Sequence, residues 1–271
     1  MTRLAQSFSS LLGGLTALIC LTLILSLAAP PRAATPTALV MPARQATPLQ
    51  GQFTADTAQF GPTAPAPVTA TTHLMWQGTV LRRWHDYTPD GGKLPLVILL
   101  HGAGRDGLSM IGVWQQVAQA NRIALAAPDS LGRTWPIDQP DPQFLLDILA
   151  AMSARADIDP TRIYLFGHSD GAAYAMTLLN RTLGPWRAAA LHAGYVPTDR
   201  PKPPQTALPL RLYLGDQDQI FSVAGAQSAT WALARMGHAV RLTILPGHDH
   251  WVYDIGPELA ADAWDWLDHL P

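Results

Sequence analysis

Cysteine is all but absent from this 271-residue chain, where Cys20 stands alone. That excludes a disulfide-stapled scaffold and a thiolate zinc site. Charge is also scarce, at 14% of residues, and 18 Lys+Arg are offset by 20 Asp+Glu. A nucleic-acid binder needs a basic excess, so that class is excluded as well. No repeat of 20–50 residues is visible, which removes solenoids and propellers. What remains is a chain 48% hydrophobic, long enough for a globular core, with 24 prolines and 21 glycines as punctuation. Residues 1–72 carry Arg3, Arg32, Arg44 and Asp56, a net charge of +2, so the total of −2 leaves −4 on the rest.

Leu11–Ala29 is an uncharged apolar run, preceded by Arg3 and followed by Pro30, Pro31 and the small pair Ala33-Ala34. Residues 1–29 are expected to be an export signal, with an uncleaved membrane anchor as the alternative, because the run approaches bilayer-spanning length. The expected location is therefore secreted or periplasmic. Ile19 stands where a lipoprotein signal needs a small residue, so Cys20 is read as an apolar residue of the signal. Residues 30–72 hold eight prolines, three charges and no period of 2 or 3.6. They are expected to be a disordered Pro/Ala/Thr-rich linker.

Residues 73–271 alternate strand and helix. His73–Trp76 and Thr79–Tyr87 read as a hairpin around Gln77-Gly78, and Leu94–Leu100 as a strand buried on both faces. Strands are expected at Arg122–Ala127, Arg162–Phe166, Trp186–His192, Leu210–Leu214 and Val240–Leu245. Helices are expected at Leu108–Asn121, Gln143–Ala156, Ala172–Arg181, Ala224–Met236 and Glu258–Leu270. This alternation predicts an α/β fold with a mostly parallel, doubly wound sheet and helices on both faces. Ligands then bind at the carboxyl ends of the strands.

Three strand ends carry chemistry. Gly167-His168-Ser169-Asp170-Gly171 lies between a strand and a helix, and G-x-S-x-G arises by chance only roughly 0.06 times in a chain of this composition. A nucleophilic serine must stand on a strained strand-to-helix turn, and glycines two residues either side let the crowded backbones pass. The competing reading of Ser169 is a plain helix cap.

A serine needs a base, and the base needs a carboxylate to orient it. Downstream of Ser169, Gly215-Asp216-Gln217-Asp218 and Gly247-His248-Asp249-His250-Trp251 each follow a strand. Asp218 is the preferred acid because it lies a short turn beyond the strand, whereas Asp216 is placed to form the turn. His250 is the preferred base, with Trp251 beside it expected to shield the imidazole, and His248 remains the alternative. His101-Gly102-Ala103-Gly104 ends an earlier strand and offers an oxyanion hole. The backbone amides of Ala103 and of Asp170, the residue after the nucleophile, are the expected donors.

Over about residues 73–271 the chain resembles the α/β-hydrolase superfamily, in its polyhydroxybutyrate depolymerase and feruloyl or acetylxylan esterase branch. The likeness rests on LPLVILLHGAG (94–104), DPQFLLDILAAM (141–152), DPTRIYLFGHSDGAAYA (159–175), LYLGDQD (212–218) and PGHDHWVYD (246–254). Asp141, Phe144, Asp159, Pro160, Arg162 and Tyr164 match that branch by resemblance alone. The resemblance implies Ser169 as nucleophile, Asp218 as acid, His250 as base and the Ala103 and Asp170 amides as oxyanion donors. This chain offers two histidines where many relatives have one.

The connection Gly194–Pro209 is too short for a large cap domain, so the site is expected to be open to bulky or polymer-linked esters. Trp135 and Trp251 are candidate substrate-binding walls, each with loop packing as its competing role. A metal site from His248, Asp249, His250 and Asp216 or Asp218 lacks the helical spacing of metalloproteases, so no metal and no cofactor is expected. The expected partner is a small or polymer-linked ester, with no nucleic acid, membrane contact only through an uncleaved leader, and a monomeric state. A non-catalytic module on this fold, or an acyltransferase or peptidase with the same triad, is the alternative.

Overall fold

A computed structural model describes residues 51–63, 67–197 and 207–271. Nine strands make one sheet: β1 (Gln52–Thr57), β2 (Thr71–Gln77), β3 (Val80–Tyr87), β4 (Leu94–Leu100), β5 (Ala124–Pro128), β6 (Ile158–His168), β7 (Ala188–His192), β8 (Leu210–Gly215) and β9 (Ala239–Leu245). Five helices accompany them: α1 (Gly107–Asn121), α2 (Gln143–Ser153), α3 (Asp170–Arg181), α4 (Val223–Arg235) and α5 (Gly256–Asp268). The sheet order is β1-β9-β8-β7-β6-β4-β5-β3-β2. The β2/β3 and β3/β5 pairs are antiparallel and the others parallel.

Side-chain alternation along the central strands builds a core on each face. On β4, Leu96, Ile98 and Leu100 pack toward α2, α3 and α4, while Val97 and Leu99 pack toward α1 and α5. A strand buried on both faces reads as an unbroken apolar run, and all seven residues of β4 are buried. Asp106 caps α1 by accepting from Ser109 N at 2.9 Å, and Ser222 caps α4 through Gly225 N.

The segment expected to be an unstructured linker is a correction in part. Residues 51–63 and 67–72 are attached to the body: β1 runs parallel to β9, with Gln52 opposite Ala239 and Thr57 opposite Ile244. Phe53 stacks on Trp231 with ring centres 4.6 Å apart, and Asp56 receives Arg241 Nε at 2.7 Å. Thr63 N donates to Asp254 O and Thr69 N to Gln115 Oε1. Partners this distant in sequence leave no local period, which is why composition alone suggested disorder. The leader at 1–29 and the stretch 30–50 lie outside the described residues, as do 198–206 of the connection between β7 and β8. Among the described residues no helix is long and apolar enough to cross a membrane.

Candidate active site

The chain turns from β6 into α3 at Ser169, whose φ of 54° and ψ of −118° are strained for a residue with a side chain. Its amide donates to His192 O at 2.8 Å, which ties the turn to the end of β7. The flanking glycines are required by contact rather than by torsion. A Cβ on Gly167 would stand 2.5 Å from Gly171 O, and one on Gly171 would stand 2.2 Å from Leu100 O. The Ser169 side chain makes no capping bond to α3, so the plain-cap reading fails.

The hydroxyl faces His250 instead. His250 Nε2 lies 2.9 Å from Ser169 Oγ, and His250 Nδ1 lies 2.8 Å from Asp218 Oδ2. An ionised carboxylate only accepts, so Nδ1–H donates to Asp218, Nε2 is the free lone pair, and the serine hydroxyl donates to it. The Asp218 side chain is fully buried, and its other oxygen accepts from Ile220 N at 2.8 Å and Phe221 N at 2.9 Å. Three donors thus hold the buried carboxylate in one orientation.

The alternatives take other roles. Asp216 is exposed and accepts from Gly247 N at 2.8 Å, which joins the two loops that carry Asp218 and His250. His248 Nε2 lies 3.2 Å from His192 Nε2, away from the hydroxyl. Asp249 accepts from Trp251 N at 2.7 Å. Of the five side chains weighed as metal ligands, only His250 and Asp218 meet each other, and the other three point to separate partners. Among the described residues no group of three or more His, Cys, Asp or Glu is placed to hold a metal ion.

The environment of His250 differs from the expected one. Phe221 lies nearly parallel to it with ring centres 5.9 Å apart, and His168 lies 5.1 Å away. Trp251 instead turns toward Tyr253, at 5.0 Å, and carries the Arg105 guanidinium 4.5 Å from its ring. Nothing in the sequence singled out His168 or His192. They form a row with His248: His168 Nδ1 is 3.0 Å from His192 Nδ1, whose Nε2 meets His248. Burial pushes the pKa of all three down, that of His168 to about 3, so the row is neutral near pH 7. A neutral row puts no positive charge beside His250.

The turn after β4 is held from several sides. His101 is fully buried, donates from Nδ1 to Gly102 O at 2.8 Å and accepts from Ser130 N at 2.9 Å. Gly104 N donates to Arg133 O at 2.6 Å. Ala103 is exposed at the tip of the turn, and a Cβ on Gly102 would lie 3.3 Å from Ser169 Cβ. The turn thus approaches Ser169 closely. Asp170 opens α3, where backbone amides have no intrahelical acceptor.

Trp135 is a correction. It is only 5% exposed, stacks on Tyr174 with ring centres 5.0 Å apart, and donates from Nε1 to His101 O at 2.9 Å. Its backbone amide donates to Asp170 Oδ2 at 2.6 Å. Trp135 therefore braces both segments expected to carry the oxyanion amides rather than forming a substrate wall. Trp251 is 39% exposed beside His250.

No family model matches the sequence, and no curated protein matches it. Solved structures share its fold. A thermostable esterase superposes with a TM-score of 0.58 at 20% identity over 73% of this chain, which spans only 62% of that esterase. Esterase PE8 gives 0.54 at 23% identity, covering 67% of this chain and 97% of its own. The fluorophosphonate-binding serine hydrolase FphF of Staphylococcus aureus gives 0.60 at 13% identity, covering 74% and 99%. The α/β-hydrolase fold is thereby shown, with esterases and serine hydrolases among the proteins that share it.

Proposed function

We propose that the chain is an exported serine hydrolase that cleaves carboxylic esters through an acyl-enzyme. The observation that carries this reading is the line from Ser169 Oγ to His250 Nε2, at 2.9 Å, and from His250 Nδ1 to the buried Asp218, at 2.8 Å. In the first half-reaction Ser169 Oγ attacks the ester carbonyl while His250 Nε2 takes its proton. Asp218 steadies the imidazolium that results, and the amides of Ala103 and Asp170 meet the charge on the carbonyl oxygen. Collapse expels the alcohol, which takes the proton from His250. Water then repeats the sequence on the acyl-serine and frees the acid.

The preferred substrates are bulky or polymer-linked esters, as in the polyhydroxybutyrate depolymerase and feruloyl esterase branch that the sequence resembles. Exposure of Ala103 at the rim and the short connection after β7 support this choice. Export rests on the apolar leader at 1–29. The test is a panel of p-nitrophenyl acyl esters, acetylated xylan, a feruloyl ester and poly-3-hydroxybutyrate, run with wild type and Ser169→Ala. A fluorophosphonate is expected to label Ser169 alone, and Ser169→Ala to retain only the small residual rate that an oxyanion hole supplies. Undiminished turnover by that variant would overturn the assignment.

A further inference from the structure

The face of the site next to His250 carries a cation with no acidic partner among the described residues. Arg105 follows the turn that bears Ala103, and its guanidinium lies 4.5 Å from the Trp251 ring and 5.3 Å from the Tyr253 ring. Tyr253 is anchored by a 3.0 Å hydroxyl contact with Ser109 and stands edge-on to His168, with ring centres 6.1 Å apart. His168 in turn lies beside His250. Arg105 is exposed, and among the described residues no carboxylate comes within ion-pair distance of it. The acids that adjoin Arg105 and Trp251 in sequence are turned to backbone: Asp106 accepts from Ser109 N, and Asp249 from Trp251 N. A second guanidinium, that of Arg133, drapes the same turn, 3.3 Å from where a Cβ on Gly104 would stand.

Two aromatic rings lie within 5.3 Å of the guanidinium, which restricts it and lowers the entropy it would lose on binding. Its hydrogen-bond donors match a carboxylate or phosphate. The side of the site is fixed by chemistry. His250 returns its proton to the leaving alcohol, so groups flanking His250 line the alcohol side of the ester. His168 flanks His250, Tyr253 stands edge-on to His168, and Arg105 lies over Tyr253, 5.3 Å from its ring centre. In a body whose residues 73–271 sum to −4, a paired-off arginine would be ordinary. One left open at the catalytic mouth is not.

Resting on the ester-hydrolase reading above, we infer that Arg105 is a specificity-determining residue that binds an anionic group on the alcohol portion of the substrate. The preferred esters are therefore those whose alcohol carries a carboxylate or phosphate. Arg133 adds positive charge along the path of approach.

The test compares 4-acetoxybenzoate with its neutral counterpart 4-acetoxybenzamide. The readout is the ratio of kcat/KM values in wild type, Arg105→Gln and Arg105→Lys, with active sites counted by fluorophosphonate labelling. Because the ratio is taken within one preparation, loss of folded enzyme does not alter it. A charge-assisted contact predicts a fall of roughly ten- to a hundredfold in the anion-to-neutral ratio for Arg105→Gln, mostly through KM, with partial retention in Arg105→Lys. Salt is expected to erode the wild-type ratio more steeply than that of Arg105→Gln, which keeps only the Arg133 charge, since the screening length shrinks to about 3 Å at 1 M. An equal ratio in wild type and Arg105→Gln, or an equal salt response, would overturn the inference while leaving the hydrolase reading intact. Failure of wild type to cleave either ester, without labelling of Ser169, would remove both.

Discussion

Replacing Asp218 by Asn keeps the shape of the carboxylate and changes one proton. The Asn side-chain oxygen still accepts from Ile220 N and Phe221 N, which Asp218 Oδ1 receives at 2.8 and 2.9 Å. That fixes the amide NH2 toward His250 Nδ1, where the carboxylate oxygen now stands at 2.8 Å. An NH2 donates, so the imidazole must present an unprotonated Nδ1 and carry its proton on Nε2, facing Ser169 Oγ. The base is then blocked in the tautomer that cannot accept the serine proton. A triad locked in the wrong tautomer loses about four orders of magnitude in kcat, or roughly 5 kcal/mol of transition-state stabilisation. The fold loses little, because all three hydrogen bonds around the side chain survive with one reversed. The assay is hydrolysis of a p-nitrophenyl ester at saturating substrate, with urea denaturation to check stability. Asp216→Asn is the control: its exposed side chain keeps an oxygen for Gly247 N, and kcat is expected to stay within about threefold of wild type. If Asp218→Asn kept more than a tenth of the wild-type kcat, or if Asp216→Asn showed the greater loss, the acid would be misassigned.

His250→Ala is expected to cost several orders of magnitude in kcat, whereas His248→Ala, which loses only a contact to His192, should cost less than about tenfold; the same ester assay decides between them. The neutral histidine row makes the fold acid-labile. His168, His192 and His248 have folded pKa values below the ordinary 6.5, so below that pH the unfolded chain binds protons that the folded chain refuses. Their stabilisation is complete above about pH 6.5 and is lost as pH falls, for His168 down to about 3, at about 1.4 kcal/mol per pH unit for each ring that stays neutral. Urea midpoints measured from pH 7 to pH 4 should therefore fall steeply, and a flat profile would refute the burial argument. Trp135→Phe leaves the His101 carbonyl without its 2.9 Å donor in a buried site, which predicts a loss of roughly 1–3 kcal/mol in unfolding free energy together with a lower kcat on a neutral ester. An unchanged kcat would separate Trp135 from the oxyanion segments.

The central sheet is legible in the sequence because burial on both faces leaves a local signature. β4 and β5 are buried along their whole length without a polar side chain, and a strand with no polar face can only read as an apolar run; β7 and β8 are buried as fully but carry His192 and Arg211. β1 has no such signature. Only its second and fifth residues are better than exposed, and what holds it is pairing to β9 nearly two hundred residues away. The early part of β6 was hidden for a related reason: Pro160 interrupts the pattern, and its pairing with β4 shifts register between Leu94 and Leu96.

The site divides along the same line. Asp218 and His250 were placed by their position after β8 and β9, a matter of topology, and the structure brings both to Ser169. The ring's neighbours differ from those the sequence suggests, since Phe221 and His168 flank it and Trp251 does not. Side-chain direction in a loop depends on partners from other strands. The same holds for Trp135, whose burial under Tyr174 has no local sign, and for the histidine row, assembled from the ends of β6 and β7 and the loop after β9.

Ser169 was the most readable residue because its position is the most constrained. A serine at a helix N-cap ordinarily turns its oxygen back to the backbone amides of the first turn. At φ 54° and ψ −118° that bond is not made, and the oxygen is left for the imidazole. The backbone reaches those angles only where Gly167 lets β6 pass within 2.5 Å of Gly171 O and Gly171 lets α3 pass within 2.2 Å of Leu100 O, both measured from the Cβ each lacks. One geometric conflict thus selects two glycines at fixed offsets and exposes one hydroxyl. It was visible as a five-residue pattern because the residues it selects are consecutive, even though Leu100 O comes from β4, whereas the carboxylate and imidazole that complete the site lie on other loops and are held by contacts between strands.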